Sequence, residues 1–266
     1  MTPEQHTIVA TELLEAEKTL QQIGLLNQRY PDMAMDDAYA IQKSLCQAKL
    51  DQGRTIIGWK IGLTSKAMQS ALDIDIPDSG ILFDNMVFDS GSTVPQGRFI
   101  QPRIEAEIAF VMKNALGGEN VTRNDVIAAT DYVAPAIEIL DTRIQRKDTA
   151  TGAPRTVLDT ISDNAANAGI VMGNYKHDPN VVDLRWVGAL TFRNDEIEET
   201  GLGAGVLNDP AESVAWLARR MANYGQQIEP GHRILSGSFI RPVECPSGSR
   251  IHADFGLFGH VDIAFA

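Results

Sequence analysis

At Gly53 the chain changes texture, and that change limits the folds open to it. Residues 4–50 carry helical periodicity. Ile8, Leu13, Leu14, Leu20 and Ile23 make one apolar stripe, and Ala38, Ile41, Leu45 and Leu50 make a second. Pro31-Asp32 separates the two, and Gly53 ends the second. Beyond it, short β-rich runs alternate with Gly, Pro and Asp turns, over 55–61, 81–88, 104–112, 133–139, 168–172, 184–193 and 261–265. A helix is predicted over 123–130, with Thr122 as its cap. Another begins at Asp209-Pro210, with Glu212 in its first turn and Val214, Leu217 and Met221 as its buried face. Strands with segregated helices predict an α+β fold, not a doubly wound sheet. The expected organisation is a helical region over 1–52 and a strand-rich catalytic domain over 53–266. With 266 residues, such a core needs no staples.

The segment Arg103-Ile104-Glu105-Ala106-Glu107-Ile108-Ala109-Phe110 carries the most chemistry. On a strand, Ile104, Ala106, Ile108 and Phe110 share one face, and Arg103, Glu105 and Glu107 share the other. Neighbouring carboxylates on a strand repel unless a cation neutralises them. Glu138 lies in a second apolar run, Ala136 to Leu140, where an unpaired carboxylate is expensive. Acids converging from two strands suit a hard divalent cation with positions open to water and substrate. The alternative is a solvated face for Glu105 and Glu107, with Glu138 paired to an arginine; spacing alone does not choose.

The formal charge of −12 argues against nucleic acid and anionic membranes as partners. A small anionic substrate would need a local cation. Cys46 and Cys245 are far apart and in no metal-ligand spacing, so both read as free thiols. No apolar run approaches membrane-spanning length and no signal peptide is visible, so a cytoplasmic location is expected. There is no Gly-rich phosphate loop of dinucleotide or P-loop type.

Six strings occur in order: GWKIGLTSKAMQ (58–69), PDSGILFDNMVF (77–88), QPRIEAEIAFV (101–111), YVAPAIEILDTR (132–143), DTISDNAANAGIVMG (159–173) and SGSFIRPV (236–243). Together they resemble the hydratase/decarboxylase branch of the fumarylacetoacetate-hydrolase superfamily, over residues 5 to 265. The resemblance implies a fumarylacetoacetate-hydrolase-like β-rich sandwich or roll core behind the helical region. It implies Glu105, Glu107 and Glu138 as ligands of Mg²⁺ or Mn²⁺, and Lys60 and Asp78 as catalytic groups. Trp59 departs from the pattern, which has His or Tyr before the lysine. An indole donates one hydrogen bond and carries no proton.

The reaction so implied is addition of water to a small 2-hydroxydienoate, the enol of a 2-oxo acid. The string 159–169 points to the seven-carbon diacid 2-oxo-hept-4-ene-1,7-dioate, an intermediate type of aromatic catabolism. Beside a cation, Lys60 is expected to have a lowered pKa suited to proton transfer, or else to hold the substrate carboxylate. Asp78 orients it, positions water, or simply forms a turn. Ser162 and Asn164 are expected to line the pocket, and Asp163 to serve a turn. Arg143, or Arg103, is expected to meet the distal carboxylate. His252 and His260 are read as structural. Other chemistries stay open: hydration of the five-carbon 2-oxopent-4-enoate, decarboxylation of a 4-oxalocrotonate-type acid, and C–C hydrolysis, for which no suitably placed His is found. A non-catalytic partner of such enzymes is a further option. The resemblance implies a homo-oligomer built from dimers and possible complexes with a related decarboxylase. The polar segment 142–156 reads as a lid or an interface loop.

Overall fold

The computed structural model describes residues 1–71 and 76–266. The chain opens with α1 (Pro3–Thr19), the single turn α2 (Leu26–Arg29) and α3 (Met35–Asp51). Thr2 caps α1: its hydroxyl accepts from the Gln5 N–H, while the Gln5 side chain accepts from the Thr2 N–H. α1 buries Val9, Ala10, Leu13 and Ala16. Ile8, assigned to the buried stripe by its spacing, is 44% exposed, because the helix turns Val9 and Ala10 inward instead. α3 buries Ala38, Ile41 and Leu45 as the periodicity predicts. These side chains share a cluster with Ile144 and Ile161 from far along the chain.

The strands, in chain order, are β1 (Ile56–Gly62), β2 (Asp78–Phe83), β3 (Val87–Asp89), β4 (Thr93–Val94), β5 (Arg103–Met112), β6 (Thr130–Leu140) and β7 (Asn167–Met172). They continue as β8 (Gly188–Arg193), β9 (Glu196–Leu202), β10 (Arg233–Ser238), β11 (Val243–Glu244), β12 (Arg250–Asp254) and β13 (His260–Phe265). Among the described residues they form two sheets. The larger runs β2-β1-β10-β5-β6-β7-β3, with β11 beside the start of β5. Only β1–β10 and β3–β7 are parallel pairs in it. The smaller runs β4-β13-β12-β8-β9.

Alternation along β5 decides how the layers stack. Ile104, Ala106, Ile108 and Phe110 are fully buried in a cluster with Ile251, Ala253, Val261 and Ile263 of the smaller sheet, so the sheets meet face to face. The same cluster takes in Val126 of the helix Arg123–Ala129 and Val214 and Leu217 of the helix Pro210–Ala222. The latter starts as predicted, with the Asp209 carboxylate accepting from the Ala211 N–H. On the opposite face, Ala109, Ala136, Ile170 and Leu235 meet Phe83 and Met86, and Cys46 and Leu50 of α3 pack against them. The larger sheet is therefore a middle layer, and Glu105, Glu107 and Glu138 point to its helical side. The result is the α+β, two-sheet arrangement anticipated. No helix among the described residues is long and apolar enough to cross a membrane.

Candidate active site

The register of two long strands builds the centre. Antiparallel pairing of β5 and β6 sets Glu105 directly opposite Glu138, with Glu107 two residues along the same face. One oxygen from each of the three carboxylates lies within 4.8 Å of the others. Glu107 and Glu138 are fully buried, while Glu105 is partly exposed and marks the open side. Burial pushes the Glu105 carboxyl up to about 7, with Glu138 adding to the shift. Burial, then the charges of Glu138 and Glu105, push Glu107 well above the carboxylate range. Glu138 is raised by burial against the opposing pull of Lys60. Glu107 Oε1 and both Glu138 carboxylate oxygens are buried without a hydrogen-bond partner. Unsatisfied buried acid oxygens are costly. Together with the approach of one oxygen from each of the three glutamates, they fit a hard, oxygen-seeking divalent cation.

Lys60 Nζ lies 3.3 Å from Glu138 Oε1, close in charge though not aligned as a hydrogen bond. β1 carries Lys60 on the face that meets the acids, and the β1–β2 register places Gly80 opposite Lys60 and Asp78 opposite Gly62. Asp78 is buried opposite Gly62 and leaves Oδ1 without a partner. Burial raises its pKa against the pull of Lys60. The lowering of the lysine pKa expected from sequence supposes a cation beside it; the acids by themselves act the other way. Burial pushes Lys60 down, but Glu138, Asp78, Glu105 and Glu107 lift it further, and the net shift is upward. Four acids around one ammonium outweigh its desolvation. Trp59 alternates with Lys60 along β1, and its half-buried ring packs against apolar side chains of both clusters that flank the larger sheet.

Three residues expected to line the pocket do other work. The Arg143 Nε donates to Asp163 Oδ1, its Nη atoms to the carbonyls of Asp163 (2.7 Å) and Asn167 (3.3 Å), and its backbone N–H to Asp163 Oδ2. This buried pair pins the end of β6 to the turn before β7, so Arg143 is not a free cation for substrate. Ser162 donates to the carbonyl of Leu158, one helical turn back. Asn164 brackets Ile81 of β2, accepting from its N–H at 2.8 Å and donating to its carbonyl at 2.9 Å. Asn164, Ala165 and Ala166 all adopt left-handed φ, an unusual run for residues with a Cβ. The turn presses onto β2: a Cβ at Gly80 would sit 2.5 Å from the Asn164 carbonyl oxygen. Ser162 and Asn164 thus position the backbone beside Lys60.

Gly237 was missed as a site residue, although its string SGSF was noted. Its N–H donates to Glu107 Oε2 at 2.7 Å. Its φ is +116°, and a Cβ there would lie 2.4 Å from Thr64 Oγ1. The signal was a glycine flanked by serines at the end of a β-like run. Gly237→Ala is expected to cost roughly 1–3 kcal/mol from backbone strain and to displace Glu107. Thermal unfolding with and without Mg²⁺ should show both a lower Tm and a smaller Mg²⁺-induced rise.

The fold and this centre describe an α+β protein with a carboxylate cluster suited to a divalent ion. A 2-oxo-hept-4-ene-1,7-dioate hydratase from Escherichia coli is 50% identical over 260 residues, covering 98% of this chain and 97% of that protein. A 2-keto-4-pentenoate hydratase from Paraburkholderia xenovorans (strain LB400) is 40% identical over 265 residues, covering 100% and 96%. Among solved structures, 4-oxalocrotonate decarboxylase from Pseudomonas putida G7, complexed with magnesium and adipate, superposes with a TM-score of 0.93. It is 33% identical and covers 100% of this chain and 99% of that one. No protein-family model matches the sequence. The chain belongs to the hydratase/decarboxylase branch of the fumarylacetoacetate-hydrolase superfamily. Within that branch these two hydratases are nearer in sequence than a 4-oxalocrotonate decarboxylase from Pseudomonas putida, 50% and 40% against 34%.

Proposed function

We propose that this chain adds water to 2-hydroxydienoates, with the enol of 2-oxo-hept-4-ene-1,7-dioate as preferred substrate and a 4-hydroxy-2-oxo diacid as product. The observation that carries the reading is the convergence of three glutamates, two of them fully buried, with Lys60 3.3 Å from one of them. The 50% identity to a hydratase named for that diacid supports the choice of substrate.

Glu105, Glu107 and Glu138 would hold a divalent ion such as Mg²⁺ or Mn²⁺, which would supply Lewis-acid polarisation to a bound 2-oxo acid. Glu107 and Glu138 form the closed floor, and partly exposed Glu105 borders the side from which substrate enters. Lys60, kept protonated by its acidic neighbours, presents a cation and a proton donor next to Glu138. Protonation at C5 turns the dienol into the conjugated 2-oxo acid. Asp78, buried with Oδ1 free, accepts a proton from the water that adds at C4. The enol proton and one water proton end on C5 and C3, and the hydroxyl ends on C4. Ser162, Asn164 and the Arg143–Asp163 pair fix the walls that hold Lys60 and Asp78 in place. The reading extends to a homo-oligomer built from dimers, supported by Leu190, Ile197 and Leu202 exposed on the smaller sheet.

The test is direct. Purified chain with Mg²⁺, supplied with enzymatically generated 2-hydroxyhepta-2,4-diene-1,7-dioate, is expected to consume the dienol absorbance and yield the 4-hydroxy-2-oxo diacid by proton NMR. EDTA should stop turnover, and Mg²⁺ or Mn²⁺ should restore it. Activity in the isolated chain removes any need for a decarboxylase partner. Release of carbon dioxide without a hydrated product would overturn the reading.

A further inference from the structure

A seven-carbon diacid brings a second carboxylate into the pocket, and Arg143 is already engaged. Two other guanidinium groups near the acids carry unengaged donors. Arg103 opens β5 on the same face as Glu105, about 6.6 Å along the strand. Its Nε is buried without a hydrogen-bond partner. Arg155 closes a hairpin over 146–155: its backbone N–H donates to the Arg146 carbonyl at 3.0 Å, and Lys147 bridges Pro154. Its side chain is half-buried, and Nη1 is buried without a partner. Arg146 also keeps an unpartnered Nε, but its two Nη atoms are taken, by Glu244 Oε1 and the Gln101 carbonyl, each at 2.6 Å.

The hairpin sets Arg155 beside Arg146, whose Nη2 donates to the carbonyl of Gln101, two residues before Arg103. Burial lowers its pKa, Asp163 opposes the shift, and the charges of Arg103, Arg143 and Arg146 add to it. Arg155 in turn draws down the carboxyl of Asp78, one of the site's own acids. The acid-bearing side of β5 therefore has two ends of opposite need. Acids short of a cation lie at one end, and arginines short of an anion lie at the other. Buried guanidinium donors without acceptors destabilise a fold unless something accepts from them. A carboxylate is the acceptor whose shape matches their fork.

We propose that Arg155, assisted by Arg103, receives the distal carboxylate of a dicarboxylic 2-oxo acid and so sets a preference for diacids over monoacids. The inference rests on the 2-oxo acid reading of the site given above. It also assigns the segment 142–156 a role, since the hairpin carries one of the two cations to the substrate.

Two measurements test it. In the first, wild type, Arg155→Gln, Arg155→Lys and Arg103→Gln are compared on the seven-carbon dienol diacid and on 2-hydroxypenta-2,4-dienoate. The ratio of kcat/KM, diacid over monoacid, is expected to fall at least tenfold in Arg155→Gln, mainly through KM. Arg103→Gln should shift it less in the same direction, and Arg155→Lys should recover part of it. A ratio unchanged in Arg155→Gln, even if both values drop together, assigns Arg155 a structural role and overturns the proposal. The second needs neither turnover nor a folded variant: Mg²⁺-loaded wild type is titrated calorimetrically with 2-oxoadipate and with 2-oxohexanoate. Tighter binding of the diacid by tenfold or more is expected, and equal affinity overturns the proposal. Wild type inert on both dienols refutes hydration, while the titration still decides the distal subsite.

Discussion

Glu107→Gln is expected to abolish hydration and yet leave the metal-free protein at least as stable as the parent. Glutamine keeps an oxygen for the Gly237 N–H and removes one of three crowded, buried charges. Glu138 is the wrong position for this experiment, because its loss would strip Lys60 of its nearest counter-charge. Activity should fall at least 10³-fold in kcat/KM, about 4 kcal/mol at about 1.36 kcal/mol per decade. The pH dependence follows from the direction of the shifts. Glu105 and Glu107 bind protons more tightly folded than unfolded. Their stabilising effect is complete below the unfolded value near 4.5, and for Glu105 it is lost as pH rises through about 7. For Glu107 the loss continues to higher pH. In EDTA the parental Tm should therefore drop between pH 5 and pH 8. Mg²⁺ should flatten that slope, and Glu107→Gln should flatten it without metal. Scanning calorimetry in EDTA and in Mg²⁺ reads all three. Parental turnover by Glu107→Gln in EDTA would remove the metal centre from the account.

What could be read from sequence was whatever local periodicity controls. Alternation over 103–110 separated the apolar face from the acidic one, and the structure keeps that division. The capped helix at Asp209-Pro210 was equally visible, because its signals lie within one turn. β9 and β12 were not: β9 is a mostly exposed, charged strand without an apolar face, and β12 is only five residues long. β10 ends in Ser236-Gly237-Ser238, which reads as a turn until pairing with β1 and β5 is known. The site was misread where a tertiary partner decides the role. Arg143 follows Glu138 closely in sequence and suggested a substrate contact, but Asp163, twenty residues on, claims it. Arg155 carried no local signal, since its meaning depends on donors left unpaired beside Arg103. The sign of the Lys60 shift required counting every charge around it, and the β2 and β6 acids come from distant segments.

Lys60→Met is expected to separate catalysis from metal binding. The ammonium is 4% exposed and neutralises acids that otherwise face one another. Methionine fills much of the same volume without the charge. Removing one partner of a buried ion pair costs about 3–5 kcal/mol, so the metal-free variant should melt below the parent. A divalent ion then meets a cluster with one competing cation fewer. The Mg²⁺-induced rise in Tm should accordingly be larger than in the parent. Turnover should go the other way. Loss of a positioned proton donor typically costs 10²–10⁴-fold, and kcat with saturating Mg²⁺ should fall by about that factor. The two readouts moving in opposite directions distinguish a catalytic Lys60 from one that merely holds the glutamates together. If the lysine were only a structural counter-ion, Mg²⁺ would replace it and restore kcat. A Lys60→Met protein that regains parental kcat in Mg²⁺ would therefore place proton transfer elsewhere, with Asp78 the next group to test.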